Sequence, residues 1–159
     1  MRLHKWVYPV VILIVLTVFS CGCNTSNSYK RSIYTDNSKI AEDGNRCLFY
    51  KVSFNPEDKK TTIKFEEFIG RETIWLVKAT EAGKINVTYK SKIEKGKFKV
   101  VFVSSDKTVT DIFEGEGSGD FTVEVPKGDG QIKIVGVDTN GSVDLSLEVE
   151  GSITITKPE

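Results

Sequence analysis

The chain has 159 residues and is electrically balanced, with 22 Lys and Arg against 22 Asp and Glu and a single histidine, His4. A balanced chain lacks the basic footprint of nucleic-acid-binding proteins, so we expect no nucleic-acid partner. If the N-terminal segment that carries Arg2 and Lys5 is removed, 20 basic and 22 acidic residues remain, a net charge of −2. The remaining length suits one domain.

The first element of the chain has the layout of a secretion signal. Arg2 and Lys5 precede an apolar stretch that runs from Val10 to Phe19, and a polar run follows at residues 24–28. A cationic start, a short apolar segment and small residues at a processing site are typical of a signal peptide. A spanning helix requires about 20 apolar residues, and this stretch is somewhat shorter. An uncleaved membrane anchor and a plain secretory signal remain as alternatives.

The residues before Cys21 indicate the kind of signal. Val18-Phe19-Ser20-Cys21 resembles the lipobox of a bacterial lipoprotein precursor, with an aliphatic residue three positions before the cysteine and a small one directly before it. The resemblance implies a signal peptide at residues 1–20, lipid attachment at Cys21, and a mature protein anchored on the outer face of the cell membrane. Cys23, which follows Gly22, is a competing site. Two or more acyl chains are needed for stable anchoring, because one holds only marginally.

The position of the one histidine narrows the enzyme classes. Processing before Cys21 would remove His4, so the mature chain could not build a Ser-His-Asp triad, a Cys-His pair or a histidine-ligated metal site. We therefore expect a protein that is not an enzyme and that has no cofactor and no metal centre. Carboxylate-pair chemistry, a Ser-Lys nucleophile and oxygen-ligand cation sites stay open. A disulfide between Cys23 and Cys47 is permitted outside the membrane, and the alternative is two unpaired thiols.

After the signal, the composition predicts a flexible tether and then an all-β domain. Residues 21–45 are rich in Ser, Asn, Lys and Asp without periodicity, which favours a lipidated tether. From residue 46 to 159, β-branched and aromatic residues dominate and turn signals recur at short intervals. The predicted strands are 48–54, 61–65, 72–80, 84–94, 98–104, 111–114, 120–126, 131–138, 143–150 and 152–156.

Two strands, 84–94 and 98–104, and two turns have the clearest local patterns. Residues 84–94 alternate apolar and polar side chains with period two, as expected for a strand with one wet face. Lys95-Gly96-Lys97 predicts a tight hairpin, and Asn140-Gly141 is a strong two-residue hairpin signal. Val101 and Val103 make the second face of strand 98–104 apolar as well, so this strand is expected to be central.

About eight or nine antiparallel strands in one domain predict a two-layer β-sandwich of jelly-roll or immunoglobulin-like topology. Residues 70–149 also resemble the C-terminal β-domains of small lipoproteins of Gram-positive bacteria. The resemblance lies in Gly83-Lys84-Ile85, in Lys95-Gly96-Lys97-Phe98 and in Gly119-Asp120-Phe121-Thr122-Val123. It implies no catalytic residues.

Four sets of residues are candidate sites, each with a structural alternative. The carboxylates near the Gly-rich segment 115–120 could hold Ca²⁺, but a solvated hairpin tip is favoured. Asp138, Asn140 and Ser142 suggest a calcium loop, but the hairpin reading is favoured there too. Trp75, Tyr89 and Tyr50 could form a platform for a sugar ring, although they fit the apolar pattern of the core. A basic hairpin surface is predicted from Lys90, Lys92, Lys95, Lys97 and Lys99; it could bind a polyanion or only aid solubility.

The favoured function is a non-enzymatic binding or interaction module of the cell envelope, anchored by lipid at Cys21, with a cell-wall polymer or a protein as ligand. A small glycan hydrolase that uses a carboxylate pair is one alternative. It would need two carboxyl groups about 5–10 Å apart on a concave face. A purely structural envelope protein is the other alternative, and it would show no cleft.

Overall fold

The computed structural model describes residues 25–49, 51–56 and 59–158, with side chains described for 27–49 and 59–158. Two short helices, α1 (Thr25–Ser32) and α2 (Asn37–Ala41), flank a 3-10 turn (Ile33–Thr35). The strands that follow are β1 (Arg46–Leu48), β2 (Lys51–Pro56), β3 (Lys60–Ala79), β4 (Gly83–Val103), β5 (Val109–Glu114), β6 (Gly117–Val125), β7 (Gly128–Glu150) and β8 (Ile153–Thr156). The predicted signal peptide, Cys21 and Cys23 lie outside the described residues.

Three long strands, β3, β4 and β7, each pass through both layers of an antiparallel β-sandwich. β7 lies between β3 and β4 for most of its length, from Gln131 to Ser146. The front layer has the order β2, residues 60–66 of β3, 141–150 of β7, 83–93 of β4, and β6. The back layer contains residues 68–79 of β3, 128–139 of β7 and 97–103 of β4, with β1 and β8 on the β3 edge and β5 on the β4 edge. The predicted all-β two-layer sandwich is confirmed.

One hydrophobic core fills the space between the layers. Because side chains alternate between the two faces of a strand, every second residue points inward. Phe65 and Val87 enter from the front layer, while Trp75, Phe102 and Ile134 enter from the back layer. Burying each side chain of this size stabilises the fold by roughly 1.5–3 kcal/mol relative to leaving it exposed. Trp75 is 1% exposed, which confirms it as a core residue.

The two predicted hairpins at Lys95-Gly96-Lys97 and Asn140-Gly141 are wrong, because both segments lie inside continuous strands. The strands bend there from one layer into the other. Glu67 in β3, Gly96 in β4 and Asp138 in β7 have φ angles of 53°, 80° and 49°, and the strand pairing shifts at the same places. We call this row of bends the corner. As a result, pairs of predicted strands, such as 131–138 and 143–150, are halves of one strand.

Polar side chains hold the bent backbone of the corner. The buried Thr139 hydroxyl donates to the Lys97 carbonyl oxygen and accepts from the Val137 N–H at 3.1 Å. The Asn140 Oδ1 atom accepts from the Glu67 N–H at 2.9 Å. Glycine and asparagine therefore serve at the corner the same purpose as in a hairpin, because both structures require unusual φ angles or close backbone approach.

The predicted flexible tether is not what the structure shows for residues 25–45. Residues 25–41, which we call the strap, are helical for most of their length and lie on the outer face of the back layer. Ile33, Tyr34, Ile40 and Ala41 are buried there in a second apolar cluster with Val101, Val103 and Val135. The apolar second face of strand 98–104 is thus explained by the strap that covers it.

Three cations are buried beneath the strap. Lys133 is 0% exposed, and its Nζ atom donates to the carbonyl oxygens of Ile40 at 3.0 Å and Glu42 at 2.6 Å. Arg71 is 2% exposed and pairs with the Glu42 carboxylate at 3.0 Å. Lys99 Nζ lies 3.1 Å from Asp111 Oδ1 and over the Tyr34 ring. Lys133 thus satisfies carbonyl oxygens at the C-terminal end of α2, where a cation is favoured, while Arg71 and Lys99 contact Glu42 and Tyr34 and so help to hold the strap and the residues after it.

Burial of Lys133 makes the stability depend on pH. Burial, with Arg71 nearby, lowers the pKa of Lys133 from 10.5 to about 8. Between these two values the unfolded chain binds more protons than the folded chain, so the contribution of Lys133 to stability rises with pH. We expect the free energy of unfolding of the native protein, minus that of Lys133→Met, to increase from pH 8 to 10. Chemical denaturation at several pH values measures this.

The matched control is Lys127→Met, at an exposed lysine. Burial raises the pKa of the Cys47 thiol to about 11, so its contribution falls as the pH rises from 9. Because Cys47 is present in every variant, its effect cancels in the difference. The difference in the free energy of unfolding between the native protein and Lys127→Met should not change from pH 8 to 10. If the difference between the native protein and Lys133→Met is equally constant, the strap does not desolvate Lys133.

Candidate functional site

The two outer faces of the sandwich differ, because the strap covers part of the back face and no described element covers the front face. Outward positions of β3, β4, β6 and β7 on the front face carry only polar or charged side chains: Lys60, Thr62, Lys64, Lys84, Asn86, Thr88, Lys90, Lys92, Ser118, Asp120, Thr122, Glu124, Ser142, Asp144, Ser146, Glu148 and Glu150. The front face is therefore wet and can meet a ligand without any rearrangement of the strap.

A shallow groove of about 450 Å³ crosses the middle of this face. Strand register places Thr62 opposite Asp144 and Lys90 in one row, and Lys60 opposite Ser146 and Thr88 in the next. We call the groove lined by these six side chains the front groove. The Thr62 hydroxyl donates to Asp144 Oδ1 at 2.7 Å. Hydroxyl, carboxylate and ammonium groups converge here, and together they can donate to and accept from a ligand rich in hydroxyl groups.

A second groove, of about 590 Å³, lies on the back face at the end of the strap. Leu76, which is 38% exposed, and Val103 contribute to its apolar part. Three of its polar side chains are paired with one another: Asp43 accepts from Lys107 at 2.7 Å and from Gln131 at 3.2 Å. The hydrogen bond from Lys107 holds the pKa of Asp43 below its usual range. These three groups help to hold the segment after the strap, while Lys78 and Asp129 also line the groove.

Of the three aromatic residues that could have formed a sugar platform, Trp75 and Tyr89 contribute to the core, as the apolar pattern predicts. Trp75 is buried in the core, and the half-buried Tyr89 stacks on Phe113 with ring centroids 4.0 Å apart. Tyr50 lies outside the described residues. The aromatic side chains thus support the sandwich from within.

The predicted basic hairpin surface is also corrected, because its lysines follow β4 around the corner. Lys90 and Lys92 lie on the front face, Lys95 and Lys97 lie at the corner, and Lys99 is buried on the back face. Sequence reasoning missed Lys60 and Lys64, which β3 brings to the front face. Only the pairing of β3 and β4 with β7 could have indicated them.

The Gly-rich segment 115–120 is not a hairpin tip. It carries the chain from β5 in the back layer to β6 in the front layer. Glu114 accepts from the Tyr34 hydroxyl at 2.8 Å, and Asp120 accepts from the Thr88 hydroxyl at 2.6 Å. Asp138, from the other segment considered as a calcium loop, pairs with Arg31. Within residues 25–49, 51–56 and 59–158, no group of three or more His, Cys, Asp or Glu is placed to hold a metal ion.

The lining of the front groove contains one described carboxyl group, Asp144, whereas a glycosidase uses two. Burial raises the pKa of Glu72, as a general acid requires, but Glu72 lines neither groove. On the front face Asp120 and Asp144 each accept a hydrogen bond from a threonine hydroxyl.

No helix in the described part of the chain is both long enough and apolar enough to cross a membrane. No family model and no curated protein matches the sequence. Three similar solved structures are a family 35 carbohydrate-binding module from an environmental isolate, a family 29 carbohydrate-binding module and tailspike protein 4 of bacteriophage CBA120.

The family 35 module is 14% identical over 70% of this chain and 83% of its own, with a TM-score of 0.36. The family 29 module is 11% identical over 72% and 78%, with a TM-score of 0.37. The tailspike is 8% identical over 84% of this chain and 21% of its own, also with a TM-score of 0.37. At this level of similarity these structures assign neither a family nor a ligand to the chain.

Proposed function

We propose that this protein is a non-enzymatic binding module of the bacterial cell envelope, anchored by lipid at Cys21 on the outer face of the membrane. Its front groove binds a cell-wall glycan. The observation that carries the proposal is the asymmetry of the sandwich: the strap covers part of the back face, while the outward positions of the front face are all polar or charged and no described element covers them. A purely structural envelope protein would not require this groove of about 450 Å³.

The position of the strap supports the same arrangement. Only three residues lie between Cys21 and Thr25, where α1 begins, so the two Cα atoms are at most about 14 Å apart when the segment is extended. The strap lies on the back face, so a lipid at Cys21 would enter the domain from that side. The front groove would then point away from the anchor, toward material outside the membrane.

The experiment uses the full-length protein, purified in detergent from bacterial membranes. We expect Ser146→Trp, which fills the front groove, to lower binding to purified cell-wall glycan by about tenfold, because a bulky side chain removes the shape and the hydrogen-bonding groups that the ligand uses. Thr122→Trp, on the same face but outside the groove, is the matched control and should bind within about twofold of the native protein. Pull-down with wall glycan measures both.

The mass of the mature N-terminus, taken from the same preparation, checks the anchor: a lipid-modified Cys21 is expected. If the native protein binds no wall glycan, or if Ser146→Trp binds as well as Thr122→Trp, the front groove is not the binding site. An unmodified N-terminus at Met1 would overturn lipid attachment and leave an uncleaved anchor.

A further inference from the structure

We propose that the front groove selects an anionic glycan, through four lysines that the sheet register brings around it. These are Lys60 and Lys64 of β3 and Lys90 and Lys92 of β4, which together we call the lysine frame. The inference rests on the proposed function and names the chemical class of its ligand: a wall glycan that carries phosphate or carboxylate groups at intervals between its hydroxyl groups.

The geometry of the frame follows from the strand pairing. β3 and β4 lie on opposite sides of β7, so the Cα atoms of the two pairs of lysines are about 10 Å apart across the sheet. Along the strands Lys90 and Lys92 are about 7 Å apart, and Lys60 and Lys64 about 13 Å. Ser142, Asp144 and Ser146 of β7 lie between the pairs. The frame thus places positive charges around a centre of hydroxyl and carboxylate groups.

The lysines of the frame are available to a ligand. All four are exposed. In the part of the chain whose side chains are described, no carboxylate lies within ion-pair distance of Lys60, Lys64 or Lys90. Lys92 has a surface contact of 3.4 Å with Glu94, and exposed pairs of this kind contribute little. Among the described side chains, most of this positive charge is therefore not paired with a carboxylate.

The opposite end of the same face is acidic. Glu148 and Glu150 of β7 lie there with Glu124 of β6, and Lys84 pairs with Glu124 at 3.0 Å. Because the charges are separated along the face, an anionic chain is attracted to the lysine frame and repelled from the far end. This separation orients a polymer across the strands, over the front groove, and not along them.

Asp144 distinguishes an anionic glycan from other polyanions. Its carboxylate lies at the centre of the frame and is exposed. A phosphate placed at the centre would be repelled by this carboxylate, whereas a sugar hydroxyl could donate to it. The ligand that fits has hydroxyl groups in the middle and anionic groups spaced to reach lysines on either side. Nucleic acid, with a continuous line of phosphates, fits this pattern poorly.

The test compares two double charge reversals that alter net charge equally. Lys64→Glu with Lys90→Glu reverses the frame, and Lys78→Glu with Lys127→Glu reverses two exposed lysines outside it. The full-length protein is titrated with poly(glycerol phosphate), polygalacturonic acid, neutral dextran and double-stranded DNA. We expect the native protein to bind the first two, with affinity that falls as salt rises, because exposed charges are screened. The affinity of the frame variant for these two polymers should fall by about tenfold or more, and that of the control variant by about twofold or less.

The outcomes separate this inference from the proposed function. If the frame variant still binds wall glycan and dextran, the anionic selectivity is overturned, and the proposal of a binding module stands. Equal losses in both double variants, or DNA binding as tight as polymer binding, would show general attraction to polyanions and also overturn it. If the native protein binds no wall glycan, both proposals fail. Circular dichroism of each variant confirms that the sandwich is folded.

Discussion

Replacing Gly96 by alanine is expected to lower the free energy of unfolding by roughly 2–5 kcal/mol, or to prevent folding. Gly96 has a φ of 80°, and a Cβ atom there would lie 2.4 Å from the carbonyl oxygens of both Val137 and Asp138. Those are backbone atoms of β7, so they cannot move aside without opening the corner. Denaturant unfolding followed by circular dichroism measures the change.

Gly115→Ala is the matched control for this prediction. Gly115 has nearly the same φ, 79°, but nothing lies within 4 Å of the position of its Cβ atom. The free energy of unfolding of Gly115→Ala should therefore fall by only about 1–2 kcal/mol, which is the cost of the left-handed conformation for alanine. The difference between the variants isolates the contact between β4 and β7. If Gly96→Ala lowers the free energy of unfolding by no more than Gly115→Ala does, β4 and β7 do not approach each other closely at the corner.

Replacing Ile40 by alanine is expected to lower the free energy of unfolding by about 2–5 kcal/mol. Ile40 is 0% exposed and packs in the cluster that joins the strap to the back layer. Its loss would leave a cavity beside Val101 and Val135 and would weaken the hold of Lys133 on the Ile40 carbonyl oxygen. Denaturant unfolding measures the loss, and hydrogen exchange should show faster exchange at the amides of residues 37–41.

Leu48→Ala serves as the control, since Leu48 is 50% exposed and should change stability by less than about 0.5 kcal/mol. If residues 25–41 were the flexible tether that their composition predicts, Ile40→Ala would also leave the free energy of unfolding unchanged. The experiment therefore distinguishes a packed strap from a flexible tether. An Ile40→Ala variant as stable as Leu48→Ala would show that the strap does not pack on the back layer in solution.

The strap matters for function because it decides which face of the sandwich remains open. A free tether would leave both faces accessible and would let the domain turn relative to the membrane. A packed strap instead occupies part of the outer face of the back layer. Under the proposed function, only three residues would then separate the lipid at Cys21 from the strap, so loosening the strap is expected to change the orientation of the domain before it changes the front groove.

Much of the fold could be predicted from local patterns. The alternation at residues 84–94 correctly predicts a strand with a polar outer face, because period two in the sequence is period two in space. The apolar second face at Val101 and Val103 predicts that strand 98–104 is central, and these residues of β4 do lie between β7 and β5. Trp75 and Tyr89 fit the apolar pattern and do contribute to the core. The lipobox at Cys21 is readable from sequence and remains a prediction.

The tertiary structure alone decided how these pieces connect. Asn140-Gly141 and Lys95-Gly96-Lys97 have the composition of hairpins, yet they form bends, because a hairpin and a corner need the same backbone freedom and differ only in the partner strand. The strap looks polar in sequence because only a few of its residues are apolar, and only the back layer shows that Ile33 and Ile40 have a surface to bury. Lys60 and Lys64 lie far along the chain from Lys90 and Lys92, and β7 brings them together since it pairs with both neighbours.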